Sequence, residues 1–151
     1  MQTRRKTIQH SMVVAGLLST AGFPQFANAA FNKVGFDAKS IQDAVKAYGG
    51  GNISESKDVT VTAPDIAENG AVVPLGASTT LAGVKHMLVL VEKNPSALIA
   101  MFYVNDAVDA NFLTRAKMGQ SSDVYAVAIM ADGKALFAKK EVKVTLGGCG
   151  G

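Results

Sequence analysis

Two spacings of apolar residues divide the chain. From Ser40 to Tyr48, Ile41, Ala44, Val45 and Tyr48 fall at i, i+3, i+4 and i+7, the stripe of one short amphipathic helix. Ser40 and Asp43 form a capping-box pattern at its start, and Gly49-Gly50-Gly51 supplies the stop. After Asn52 the period shortens to two. Residues 57–63 alternate Val59, Val61 and Ala63 with polar partners, and further strand-like runs lie at 71–73, 81–92, 98–104, 110–117 and 124–130. Asp132-Gly133 then predicts a hairpin turn into a last strand over 135–146. The connections are too short for the helical crossovers of a parallel sheet. The pattern therefore predicts an all-β, antiparallel sandwich of about seven strands, preceded by one short helix.

The alternation in the last strand predicts where the sheet lets the chain go. Val142, Val144 and Leu146 share one face, Lys143 and Thr145 the other, so the sheet should hold the chain as far as Leu146. The remaining residues are Gly147-Gly148-Cys149-Gly150-Gly151, and that cysteine is the only one in the 151 residues. Five extended residues reach on the order of 17 Å, and glycine permits almost any backbone path along them. Four glycines give Cys149 no apolar cover, which argues against a structural role in the core.

Composition changes the setting more than the fold. Hydrophobic residues make up 48% and charged residues 18%, which excludes a disordered chain. The net charge of +3 comes from Arg4, Arg5 and Lys6; the residues after Ala29 carry twelve basic and twelve acidic side chains, so no nucleic-acid footprint remains. Residues 1–29 read as an export signal: a basic start, a moderately apolar stretch over 12–23, and Ala27-Asn28-Ala29 before a cleavage point. The apolar stretch is short of the roughly 20 residues that span a bilayer. Adjacent arginines with weak hydrophobicity indicate the twin-arginine route, although Thr7 and Gln9 depart from its usual pattern. In an oxidising compartment a chain with one thiol forms no internal disulfide, so Cys149 either pairs with another molecule or stays free for chemistry.

Plainer readings compete at each residue. Glycine-rich ends are commonly frayed tails. His86, the one histidine outside the signal, lies on a strand, where packing is the ordinary role and catalysis with Cys149 the rarer one. One cysteine and one histidine do not make a metal site. Asp65, Glu68, Asn69 and Gly70 read as a turn rather than a partner surface, and Lys139-Lys140 as a solvated edge device. The nearest cation to Cys149 is Lys143, and a terminal carboxylate two residues away would oppose thiolate formation, so activation must come from elsewhere.

The export signal, the helix before a small β domain, the stretch Ala63-Pro64-Asp65-Ile66-Ala67-Glu68-Asn69-Gly70 running to Val73-Pro74, and the terminal GGCGG together resemble the SoxY family of bacterial thiosulfate oxidation. The resemblance covers essentially the whole chain. It implies an immunoglobulin-like sandwich over 53–146, after a helical segment over 30–52, and a swinging arm over 147–151. It also implies a periplasmic sulfur carrier, not an enzyme, with no cofactor or metal of its own and no membrane anchor. Cys149 would be the attachment point, with Gly147, Gly148, Gly150 and Gly151 as the arm. The implied partners are SoxZ, as a heterodimer, the SoxAX haem enzyme, the SoxB hydrolase and, where present, the SoxCD sulfane dehydrogenase. The alternative from another class is an exported β protein that uses Cys149 for an intermolecular disulfide.

Overall fold

A computed structural model describes residues 32–145. The predicted signal, Leu146 and the glycine-flanked Cys149 lie outside the described residues. Two short helices, α1 (Lys33–Asp37) and α2 (Ile41–Ala47), precede nine strands: β1 (Ile53–Glu55), β2 (Val59–Thr62), β3 (Ile66–Ala67), β4 (Val73–Thr79), β5 (Val84–Val91), β6 (Leu98–Tyr103), β7 (Asn111–Ala116), β8 (Ser122–Met130) and β9 (Ala135–Val144). One sheet runs β1-β9-β8-β5-β6, with β3 also on β9, and the other runs β2-β4-β7. The main pairings are antiparallel, and the fold is the predicted immunoglobulin-like sandwich. Two parallel pairings, β1 with β9 and β3 with β9, depart from the antiparallel expectation.

The predicted helix forms as its capping pattern requires. Ser40 Oγ accepts from the Asp43 amide and donates to the Asp43 carboxylate at 2.7 Å. At the other end Gly49, with φ +80°, donates to the Lys46 carbonyl and Gly50 to that of Val45, a Schellman ending. The unpredicted α1 is a single turn capped by Asn32, whose side chain accepts from Gly35 and donates to the Ala47 carbonyl. A Cβ on Gly35 would stand 2.5 Å from the Tyr48 ring, so glycine is what lets the two helices close on each other.

The layers explain why β5 does not alternate. Met87, Val89 and Val91 point between the sheets with Val73, Leu75, Val124 and Ala126, whereas Leu88 and Leu90 point the other way, beneath Ile41, Ala44 and Val45. A strand buried on both faces reads as a continuous apolar run. Among the described residues no helix covers the three-stranded sheet in this way, and its β7 alternates exposed Asn111, Leu113 and Arg115 with more buried neighbours.

Candidate functional site

The described residue nearest in sequence to Cys149 is Thr145, so the site begins with what holds the end of β9. Along the start of β9, β1 pairs with residues 135–137, and at its end β3 pairs Ile66 with Lys143 and Ala67 with Val144. The Lys143 amide donates to the Asp65 carbonyl at 3.0 Å and the Thr145 amide to that of Ala67 at 3.1 Å. Thr145 Oγ1 donates to the Glu68 carbonyl at 2.9 Å, and the Val144 amide donates to Ser121 Oγ. Lys140 Nζ reaches the Ala63 carbonyl and the Asp65 carboxylate, at 2.7 and 2.9 Å. That hydrogen bond and charge hold the Asp65 carboxyl below the ordinary carboxylate range.

The segment on β9 is itself anchored. Ala67 is buried in the core between the sheets, and the Gly70 carbonyl accepts from the amide of fully buried Met118. Asn69 turns the chain by accepting from the Ala71 amide through its side chain. The stretch containing Asp65, Glu68, Asn69 and Gly70 is thus a turn, as predicted, but it also contains a strand that grips β9. Lys140 is correspondingly a latch on this stretch rather than a solvated edge charge, while Lys139 pairs with Asp123 at 2.7 Å. A nearby groove is lined by Lys93, Arg115 and Lys117 and by Gly119 and Gln120, next to Ser121.

His86 sits at the other end of the sheet. It pairs with Tyr103 on β6 and Ile129 on β8, and Ile129 pairs with Ala135 at the start of β9. From Ala135 to Val144 the strand runs about 30 Å. Cys149 is four residues beyond Thr145, a reach of at most about 14 Å, so His86 cannot serve it as a base. The imidazole is buried between the Tyr48 and Tyr103 rings, with centroids 5.8 and 5.1 Å away. Burial, and then the Lys85 charge, push its pKa down. Burial, and then Tyr103, push that of Tyr48 up. His86 is a packing residue, the plainer of the two sequence readings. Among the described residues no three His, Cys, Asp or Glu side chains gather into a metal-holding group, and no helix is long and apolar enough to cross a membrane.

The family model for the sulfur oxidation protein SoxY matches residues 44–149. The chain belongs to the SoxY family. Among solved structures, the sulfur carrier protein SoxY from Chlorobium limicola f thiosulfatophilum is 33% identical, with a TM-score of 0.62, covering 69% of this chain and 94% of that one. A superoxide reductase (neelaredoxin) from Ignicoccus hospitalis matches with a TM-score of 0.53 at 14% identity, over 61% of this chain and 94% of that one. A putative superoxide reductase from Thermotoga maritima gives 0.51 at 10% identity, covering 61% and 93%. Both likenesses are of fold alone. No curated protein matches the chain. The SoxY match runs through the cysteine, whereas the grip of residues 63–70 on β9 has no signal in the sequence pattern.

Proposed function

We propose that the chain is a periplasmic sulfur carrier that holds thiosulfate-derived intermediates on Cys149 and presents them to successive Sox enzymes. The supporting observation is a juxtaposition: the SoxY match extends to residue 149, while hydrogen bonds tie the backbone to the sheet at Thr145, four residues before the one thiol. In this reading residues 1–29 direct export by the twin-arginine route, residues 30–146 form the docking domain, and residues 147–151 form the arm. Glycines at 147, 148, 150 and 151 leave no side chain except that of Cys149 to enter a narrow channel.

The chemistry on the arm belongs to separate enzymes. SoxAX removes two electrons to its haem as the Cys149 thiolate and the outer sulfur of thiosulfate form a disulfide-type bond, giving a cysteine S-thiosulfonate. SoxB, a manganese hydrolase, adds water to the sulfonate sulfur. The bond between the sulfane and sulfonate sulfurs breaks, sulfate leaves and a persulfide stays on Cys149. Where SoxCD is present it oxidises that sulfur, and further hydrolysis frees the carrier. SoxZ accompanies the chain as a heterodimer. With His86 beyond reach, activation of the thiol falls to these partners.

Cys149→Ser provides the test. Cells lacking the native copy should lose thiosulfate oxidation with this variant. The wild-type tail peptide should gain the thiosulfonate mass after exposure to thiosulfate and the haem enzyme, and the variant should not. Continued oxidation by the variant defeats the reading, and a reducible dimer with no sulfur adduct favours the disulfide alternative.

A further inference from the structure

We infer that the free edge of β6 is a docking site for an extended, acidic segment of a partner protein, which adds to the sheet as a further strand and sets its carboxylates against Lys93, Arg115 and Lys117. The site goes beyond the carrier reading of Cys149 and does not depend on it. In the register of β6 on β5, Val89 pairs with Ala100 and Met87 with Phe102, and the Val104 amide donates to the Lys85 carbonyl at 3.0 Å. Along an antiparallel ladder the backbone groups of successive residues point alternately to one side and the other. Ala100, Phe102 and Val104 therefore spend theirs on β5, and Ile99, Met101 and Tyr103 turn theirs to the open side. Among the described residues no strand pairs with that side. The chain around α1 covers only its start, where the Ala97 amide donates to the Ala38 carbonyl and Ser96 Oγ to that of Phe36. Edge strands are ordinarily guarded by shortness, a charge or a proline. β1 has three residues and carries Glu55, and β7 carries Arg115. β6 is six residues, Leu-Ile-Ala-Met-Phe-Tyr, with none of these guards.

Charge chooses the occupant. The groove at the Leu98 end of this edge is lined by Leu98 and Ile99 together with Lys93, Arg115 and Lys117, and no Asp or Glu lines it. All three cations are exposed, and among the described residues none of them is in an ion pair. Cations left uncompensated in a groove draw anionic groups to it. Past the other end of β6 the sign reverses, since Asp106 and Asp109 lie in the loop that follows Tyr103. A segment added antiparallel, as in the sheet's main pairings, runs with its C-terminal end at Leu98. Its acids therefore belong at that end; run the other way, they would meet Asp106 and Asp109. Backbone bonds to Ile99, Met101 and Tyr103 supply the hold, and the cations select the sequence and its direction.

The test adds the synthetic peptide Thr-Val-Thr-Val-Thr-Glu-Glu-Glu to the full mature chain and reads binding together with amide exchange by NMR. With peptide at about ten times its Kd, the amides of Ile99, Met101 and Tyr103 should exchange about tenfold more slowly. Those of Ala100 and Phe102, already bonded to β5, should keep their rates. N-methylation of every second peptide amide should abolish binding in one phase of the alternation and spare it in the other, a difference that attraction between charges alone does not produce. Lys93→Gln, Arg115→Gln and Lys117→Gln together should weaken binding on the order of tenfold, and added salt should remove the same increment. A peptide with lysine in place of each glutamate should bind no better to the wild-type chain than the acidic peptide binds to the triple variant. Absence of binding, binding that leaves the three outward amides unchanged, or equal binding of the lysine peptide overturns the site. So does protection of those amides without peptide that is lost on dilution, since a second copy of the chain then holds the edge. Each of these outcomes leaves the carrier reading of Cys149 standing, and that reading fails separately if Cys149→Ser still supports thiosulfate oxidation.

Discussion

Leu88 and Thr145 lie in the same sheet, on β5 and just past β9, and are held by different physics. Leu88 is sealed between β6, β8 and the helices, and its side chain contributes through apolar contact. Thr145 is exposed, and what holds it is two hydrogen bonds to the carbonyls of a neighbouring segment. Apolar burial is non-directional and gives stability to the whole domain. A hydrogen bond to a given carbonyl contributes about 1 kcal/mol but places its atoms to within a few tenths of an ångström. The domain uses both: apolar burial for its stability and directed hydrogen bonds for the placing of its last described residue.

The comparison breaks most visibly at Leu88. Leu88→Ala empties a fully buried site and should cost about 3 kcal/mol, lowering the thermal midpoint on the order of 10 °C. Circular dichroism melting checks this, and a loss under about 1 kcal/mol would mean that the helices are loosely laid on the sheet. The variant's folded fraction should still react with an alkylating agent at Cys149 at the wild-type rate, because Ala67, which holds the Thr145 amide, packs in the other core cluster.

The same division governs what the sequence makes legible. Helix α2 is legible because Ser40, Asp43 and the glycine run state its ends locally, and β5, β8 and β9 because long apolar runs and Asp132-Gly133 are strong signals. Most of β4 is not. Its sequence Val-Pro-Leu-Gly-Ala-Ser-Thr carries two strand breakers, which the tertiary structure accommodates. Pro74 lies beyond the last β2 pair, Thr62 with Gly76, and Gly76 sits where a Cβ would meet Leu113 at 2.7 Å. The two-residue β3 exists only because β9 offers it an edge from more than seventy residues away. Cys149 stands out through composition, whereas the grip of residues 65–68 on residues 143–145 is built from non-local carbonyl contacts that leave no pattern in the sequence.

A middle-sized effect concerns His86, at the end of the sheet away from Thr145. Its pKa is lowered in the fold, so below about 6.5 the unfolded chain takes up a proton that the folded chain refuses. Stability should therefore fall as the pH drops from about 6.5 toward the folded value. The slope is at most about 1.4 kcal/mol per pH unit, and smaller because exposed Tyr103 leaves one side of the ring near solvent. His86→Phe should remove that slope in denaturant melts at pH 7 and pH 5. A slope that survives the substitution would place the titrating group elsewhere. Cys149 reactivity should follow the same curve in both proteins, since the two poles are about 30 Å apart.

The smallest effect is the sharpest test of the contrast. Lys140→Met removes the Lys140 bonds to Ala63 and Asp65, and Asp65 is largely exposed, so the unfolding midpoint should not move measurably. Local opening is a different quantity from global unfolding, and a strand end held by few bonds exchanges its amides through local opening. The Lys143 and Thr145 amides, which donate to Asp65 and Ala67, should exchange several-fold faster in the variant. Amides at the centre of β5 and β8 should keep their wild-type rates. If β5 amides accelerate in step with that of Thr145, the latch is part of the global fold and the two regions are not separate. If only residues 143–145 respond, the end of β9 opens independently of the core of the domain.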